Sequence, residues 1–322
     1  MPIAAHGRYR HLSDAWTSIV AVPRVLPVLS LTPGTRNGQR HHSAEGHAKH
    51  DRRTPEDGVN SYARAAWTNH AVQLRENVAL RHFDHATHAR HNTPMSIIMH
   101  DLAGADPALR FSPYCWRIRF ALAHKGLPVE TIAWRFTDKA EIAFSGQGRV
   151  PVIRDGDTVV SDSWAIAEYL DERHETPTLF GGATGRAHAR FVNAWADSVM
   201  LGGIARLIVR DVLDVVDAKD RDYFRKSREE RFGMSLEDVQ TGRESGVLRF
   251  RETVQPLRLV LRQQNWLGGA APSYADFIVA GTLMWPRCCS RFALLAEDDP
   301  LTAWFERMLD LFGGLGRAAR RP

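Results

Sequence analysis

The sequence predicts a two-part molecule: a mixed four-stranded sheet with helices, followed by an all-helical half. Three observations carry this. From residue 96 the order of signals is strand, helix, strand, short segment, strand, strand, helix. Within it, Asp155-Gly156 joins two β-branched runs in "VPVIRDGDTVV", a hairpin signal. After Pro177 the strand signals fade and apolar residues recur at helical spacing.

The elements follow in order. "SIIMHDL" is a short apolar strand. Ser112 then precedes a helix whose first position is Pro113, where a missing N–H costs nothing. Cys115, Ile118, Ala121 and Leu122 share one face of it, with Arg117, His124 and Lys125 off that face. Gly126 can close the helix. "VETIAW" is a second strand, and the first strand–helix–strand unit calls for a parallel pair. The hairpin adds antiparallel strands with Asp155-Gly156 as a type I′ pair. "DSWAIAEYLDER" returns to helical spacing on the stripe Ala165, Ile166, Tyr169 and Leu170. This order is that of a thioredoxin-like sheet.

Beyond Pro177, "GRAHARFVNAWADSVMLGGIARLIVRDVLD" reads as one long helix, with a kink expected at Gly202-Gly203. A charged stretch runs from Lys219 to Glu244, and "VLRFRETVQPLRLVLRQQNWL" is helical apart from Pro256. Ser273-Tyr274-Ala275-Asp276 opens a further helix as a capping box, with Pro272 and Phe277 placed for a partial staple.

Composition divides the chain. The 322 residues carry a net charge of +5. Residues 1–94 hold 12 Lys and Arg against 7 Asp and Glu, while the remainder is balanced. The charge is therefore no sign of nucleic-acid or membrane binding by the folded part. Residues 1–94 also hold 11 of the 15 histidines and show no sustained period, so disorder is expected there. "MSIIMHDLAG" reads as an ordinary protein start, which makes Met95 the expected native start. His82, His85, His88 and His91, and the group His41, His42, His47 and His50, are read as incidental to that composition rather than as metal sites.

Three cysteines, Cys115, Cys288 and Cys289, form no disulfide framework and no metal-type spacing, in keeping with a reducing, cytoplasmic setting. The most apolar stretch, "SIVAVPRVLPVLSL", is broken by Pro23, Arg24 and Pro27 and falls short of a span. Walker, HExxH and GxSxG patterns are absent from the sequence.

The chemistry gathers around "SPYC", residues 112–115, which looks like a dithiol redox tetrapeptide with serine in place of the first cysteine. "SPYCWRIRFALAHKGL", "GRVPVIRDGDTVVSDSWAIAEYLDE" and "WLGGAAPSYADF", in this order, resemble the cytosolic glutathione S-transferases over Met95 to Gly316. "DRDYFRKSREERFG", "LEDVQTGRE" and "EDDPLTAWFERMLDLFGGLGR" are similar to the bacterial β-etherase branch, enzymes of lignin-fragment breakdown. The resemblance implies a thioredoxin-like glutathione-binding domain at 95–176 and an all-helical acceptor domain at 177–322. It implies glutathione as co-substrate, a hydrophobic aromatic acceptor, and a homodimer.

It also implies roles. Ser112 would donate a hydrogen bond to the glutathione sulfur at a helix N-terminus; local sequence alone favours an ordinary N-cap, and the two roles can coexist. Pro151 matches the family's cis-proline, which presents the main chain of Val150 to the cysteinyl part of glutathione; a strand-start proline is the plainer reading. Asp162 and Ser163 would hold the γ-glutamyl end, or simply cap the next helix. Arg149 is either a glutathione contact or a solvated strand residue. Cys115 lies on the apolar face and is read as packing. Two other functions fit the same fold: a ligand-binding protein without turnover, and a thiol reductase using Cys115.

Overall fold

A computed structural model of the protein describes residues 96–322. The expected disorder of residues 1–94, the start at Met95 and the histidine tracts lie outside the described residues.

The first half holds β1 (Ile97–Leu102), α1 (Pro113–His124), β2 (Val129–Trp134), a 3₁₀ segment (Lys139–Ser145), β3 (Val152–Asp155), β4 (Thr158–Ser161) and α2 (Ser163–Arg173). Strand order is β2-β1-β3-β4; β1 and β2 run parallel and the other pairs antiparallel. This is the mixed thioredoxin-like sheet. Met99, Val152 and Ile153 bury their side chains fully, as do Cys115, Ile118 and Leu122 of α1.

The hairpin turn sits one residue further on than expected. Asp155 pairs with Thr158, so Gly156 and Asp157 are the loop. Positive φ falls on Gly156 alone, at 59°, the signature of a type II′ turn rather than I′.

The second half is helical: α3 (Ala183–Trp195), α4 (Leu201–Val215), α5 (Arg221–Phe232), α6 (Leu236–Gln240), α7 (Arg243–Thr253), α8 (Gln255–Leu261), α9 (Tyr274–Cys289) and α10 (Pro300–Gly314). Between α3 and α4 the helix continues through a π segment, Ala196–Met200, and that is where its geometry changes, not at Gly202-Gly203. Gly203 serves close packing instead: a Cβ there would come 2.9 Å from the Phe250 ring. Among the described residues no helix is long and apolar enough to cross a membrane.

α9 is almost wholly buried and holds the two halves together. At Gly281 a Cβ would lie 2.7 Å from the carbonyl of Pro113 and 2.8 Å from the amide of Arg117, so only glycine lets α9 approach the start of α1 this closely. Two cations placed off the apolar face of α1 by periodicity are in fact buried. Arg117 is 0 % exposed and reaches Asp197 at 2.7 Å, Asn193 at 2.9 Å and Thr282 at 3.2 Å, all in the helical half. Burial pulls its pKa down, but the attraction and hydrogen bond of Asp197 together with Tyr114 and Tyr274 outweigh that, so the pKa rises and the charge persists. Lys125 reaches Asp171 at 2.8 Å and the carbonyl of His174. A helix between two layers has no solvent face, so charged positions survive there only with partners.

Candidate active site

α1 starts where β1 and the Phe111 segment deliver it. Ser112 is its N-cap and is 4 % exposed. The Ser112 Oγ accepts from the amide of Cys115 at 3.2 Å. One lone pair is thus committed to the cap; the hydroxyl proton is the group's single donor, and the Cys115 thiol lies within its hydrogen-bonding reach. The first turn of α1 carries no acidic residue, so the partial positive charge of the helix start is uncompensated along its own chain.

The Val150–Pro151 bond is cis. The antiparallel ladder begins at Val152, which leaves Val150 beyond its end. Pro151 is buried and Arg149 exposed. At the start of α2, Asp162 is the N-cap, accepting from the amides of Trp164 at 2.9 Å and Ala165 at 3.2 Å. Its φ of 78° is costly for a residue with a Cβ, on the order of 1 kcal/mol or more. The cap bonds offset that cost. Ser163, 4 % exposed, is the first helical residue. Its carbonyl accepts from the Tyr274 hydroxyl at 2.8 Å. Burial pushes the Tyr274 phenol well up, so it stays protonated and donates.

Ser112, Val150, Pro151, Asp162 and Ser163 therefore stand at the ends of elements that meet at one side of the sheet: the starts of α1, β3 and α2. Sequence reasoning did not find Tyr274 or Arg117, which tie α2 and α1 to the helical half. Tyr274 had been noticed only as part of a cap motif, and Arg117 only as a polar position. Asp220 was also missed. It accepts from the amides of Phe136 at 2.7 Å and Thr137 at 3.1 Å and so anchors the segment after β2.

Cys115 is fully buried, and burial followed by the nearby charge of Asp101 pushes its thiol pKa well up, against a weaker pull from Ser112. A nucleophilic cysteine needs the opposite environment. Cys288 and Cys289 are buried in α9, in keeping with helix packing.

Known proteins share both halves. The family described as glutathione S-transferase, N-terminal domain, matches residues 111–173, and its C-terminal counterpart matches 187–309. The chain belongs to the glutathione S-transferase family. Glutathione S-transferase Z1 of Arabidopsis thaliana is 40% identical over 93 residues, 27% of this chain and 41% of that protein. Glutathione S-transferase 2 of Saccharomyces cerevisiae is 26% identical over 211 residues, 61% of this chain and 81% of that one. The match thus spans about two fifths of the Arabidopsis relatives. Among solved structures, a glutathione S-transferase of Ceriporiopsis subvermispora in complex with glutathione superposes with a TM-score of 0.58 at 25% identity, covering 67% of this chain and 96% of its own. A glutathione transferase from Phanerochaete chrysosporium gives 0.56 at 26% identity, covering 68% and 92%.

Proposed function

We propose that the protein is a glutathione transferase in which Ser112 stabilises the glutathione thiolate. The observation that carries this is the Ser112 hydroxyl, buried at the N-terminus of α1 and capping it through a lone pair, so that its proton is the donor a bound thiolate would use. A free thiol has a pKa of ~8.5, so little of it is ionised at neutral pH. A hydroxyl donor and an uncompensated helix start both favour the thiolate. A depression of about two pKa units corresponds to roughly 2.7 kcal/mol, within reach of such an arrangement. The Ceriporiopsis structure, which contains glutathione, supports the same ligand here.

The rest of glutathione follows the chain's other two element starts. The main chain of Val150 pairs with the cysteinyl unit. Ser163, at the N-terminus of α2, takes the γ-glutamyl carboxylate. A carboxylate repels a carboxylate, so Asp162 suits the neighbouring ammonium of the same group. Arg149 is a candidate for the other end of the tripeptide.

For the reaction we propose displacement on an aromatic electrophile, specifically cleavage of β-aryl ethers. The thiolate attacks the carbon that bears the aryl ether oxygen, next to the carbonyl of the aryl ketone. A C–S bond forms, the C–O bond breaks, and the phenolate leaves with the electron pair and is protonated by solvent. The carbonyl already activates that carbon, so the protein's task is ionisation and alignment. A homodimer in the cytoplasm completes the reading.

Glutathione-dependent release of phenol from a β-aryl ether tests it. Binding of glutathione with no turnover of any aryl ether or general electrophile would make the protein a ligand carrier instead. Loss of activity in Cys115→Ser with retention in Ser112→Ala would make it a thiol reductase.

A further inference from the structure

Four cations converge at the seam between the sheet half and α5. Arg228 lies on α5 with its guanidinium 4.5 Å from the ring centroid of Phe224 and 5.1 Å from that of Phe136. Phe136 in turn sits 6.2 Å from Tyr223 and 6.2 Å from Phe111, the residue before Ser112. Lys139 places its Nζ 5.7 Å from the Tyr223 ring and donates to the carbonyl of Gly148. Arg149 adjoins the Val150–Pro151 bond, and Arg231 is one turn beyond Arg228 and within electrostatic reach of Tyr114. The result is an aromatic shelf beginning next to Ser112 and overhung by positive charge.

These cations act on one another. Arg228 feels Arg231 and Arg149, Arg231 feels Arg149, and Lys139 feels Arg149 and then Arg228, with Asp220 opposing them at Lys139. Burial first, then this repulsion, brings the Arg228 pKa down to about 10. Two nearby carboxylates hold groups other than Arg228. Asp220 holds the main chain at Phe136 and Thr137, and Glu229 holds Arg225 at 2.8 Å and the amide of Leu236. Among the described residues Arg228 forms no ion pair with a carboxylate; its polar contact is the Ser227 hydroxyl at 2.8 Å. Holding the Arg228 charge at a half-buried seam beside other cations raises the free energy of the folded chain, and an anion at Arg228 relieves it.

We propose that Arg228, with Lys139, Arg149 and Arg231 around it, forms a carboxylate-binding subsite that selects an anionic aromatic acceptor. The inference rests on the transferase reading and names the acceptor's chemistry. The ring of the acceptor stacks on Tyr223 and Phe136, and its carboxylate meets the guanidinium of Arg228. Glutathione's glycyl carboxylate is the other possible source of such an anion. Two of the cations and two of the rings come from α5 in the helical half, and a single peptide carboxylate has no use for an aromatic shelf.

The test pairs a β-aryl ether ketone bearing a ring carboxylate with its methyl ester, using the full chain at saturating glutathione. Wild type is expected to prefer the acid in kcat/KM by about tenfold or more, the usual effect of one charge-assisted contact. R228M is expected to lose that preference, and R228K to recover part of it. Equal rates for acid and ester in wild type would overturn the proposal without needing a variant. So would a rise in the KM for glutathione in R228M that accounts for the whole loss, which would give the cluster to the glycyl carboxylate. Calorimetric binding of the acid and the ester to the glutathione complex reads the subsite apart from turnover. Tighter acid binding with no turnover of either compound would sink the transferase reading and leave the subsite standing.

Discussion

α1 and α9 both begin after a serine, and they pack against each other at Gly281. At α9 the cap is closed. Ser273 Oγ accepts from the amide of Ala275 at 3.3 Å, and Asp276 reaches back to the amide of Ser273 at 2.9 Å. Asp276 also accepts from the amides of Leu267 at 2.7 Å and Gly268 at 2.9 Å and from the Trp304 indole at 3.0 Å. At α1 the corresponding third residue is Cys115, which cannot return a carboxylate. The nearest buried acid, Asp101 on β1, faces Arg119 and the Cys115 thiol instead of the helix start. The same residue at the same helix position thus closes the fold in one case and leaves a positive, donor-bearing end in the other. What separates them is the residue three places on.

Replacing Asp276 should break the closed cap most severely. Asp276→Ala removes the acceptor of four donors, two of them buried, the Leu267 amide and the Trp304 indole. Each buried one costs about 1–3 kcal/mol, so chemical denaturation should show a loss of at least about 2 kcal/mol. A variant as stable as wild type would mean that α9 does not depend on its capping box.

Ser112→Ala should cost about 1 kcal/mol of stability as a lost N-cap, and much more in function. Its kcat/KM should fall about a hundredfold, the rate equivalent of roughly 2.7 kcal/mol. Wild type should reach its pH–rate plateau below the free thiol pKa of ~8.5, because the bound thiol is acidified. In the variant the plateau should move to higher pH. An unmoved profile would remove Ser112 from the chemistry.

Ser273→Ala sharpens the contrast. It should cost about 1 kcal/mol, the usual value of an N-cap, with the activity per folded molecule unchanged. A loss of rate matching that of Ser112→Ala would erase the distinction between the two helix starts.

The smallest effect is expected at Asp101. It is fully buried, and its Oδ1 has no hydrogen-bond partner among the described residues. Burial raises its pKa, with Arg119 and Arg110 opposing. A raised folded pKa means stability that is complete below the unfolded value near ~3.9 and declines as pH rises through the folded value. Asp101→Asn should match wild type in acid and exceed it at neutral pH. Denaturation midpoints that run parallel across the whole range would show that Arg119 compensates the charge.

Much of the sheet half was legible because its signals are local. A short apolar run marked β1, β-branched runs about a turn pair marked β3 and β4, Pro113 and Gly126 bracketed α1, and Ser273 with Asp276 announced α9. The type II′ turn was missed because Asp155-Gly156 and Gly156-Asp157 are both acceptable loop pairs, and register against β3 chooses between them. The π segment was missed because glycine is the only irregularity that spacing advertises, whereas Ala196–Met200 looks regular in sequence. The candidate site residues Ser112, Pro151, Asp162 and Ser163 are singled out by family resemblance, not by their own chemistry. As bare residues, each is also an ordinary cap or strand start.

By itself the sequence determined where helices and strands begin and that a serine opens α1, since capping and periodicity act within a few residues. Only the tertiary structure decided what each charged residue is for. Arg117 looks solvated in sequence, yet it is buried because Asp197, Asn193 and Thr282, all more than seventy residues away, surround it. Arg228 looks like one more charge in a charged stretch, yet it meets Phe136 from the other half. Charge acts through space and is screened or strengthened by what is buried around it, so its consequence is set by neighbours that the sequence does not place side by side.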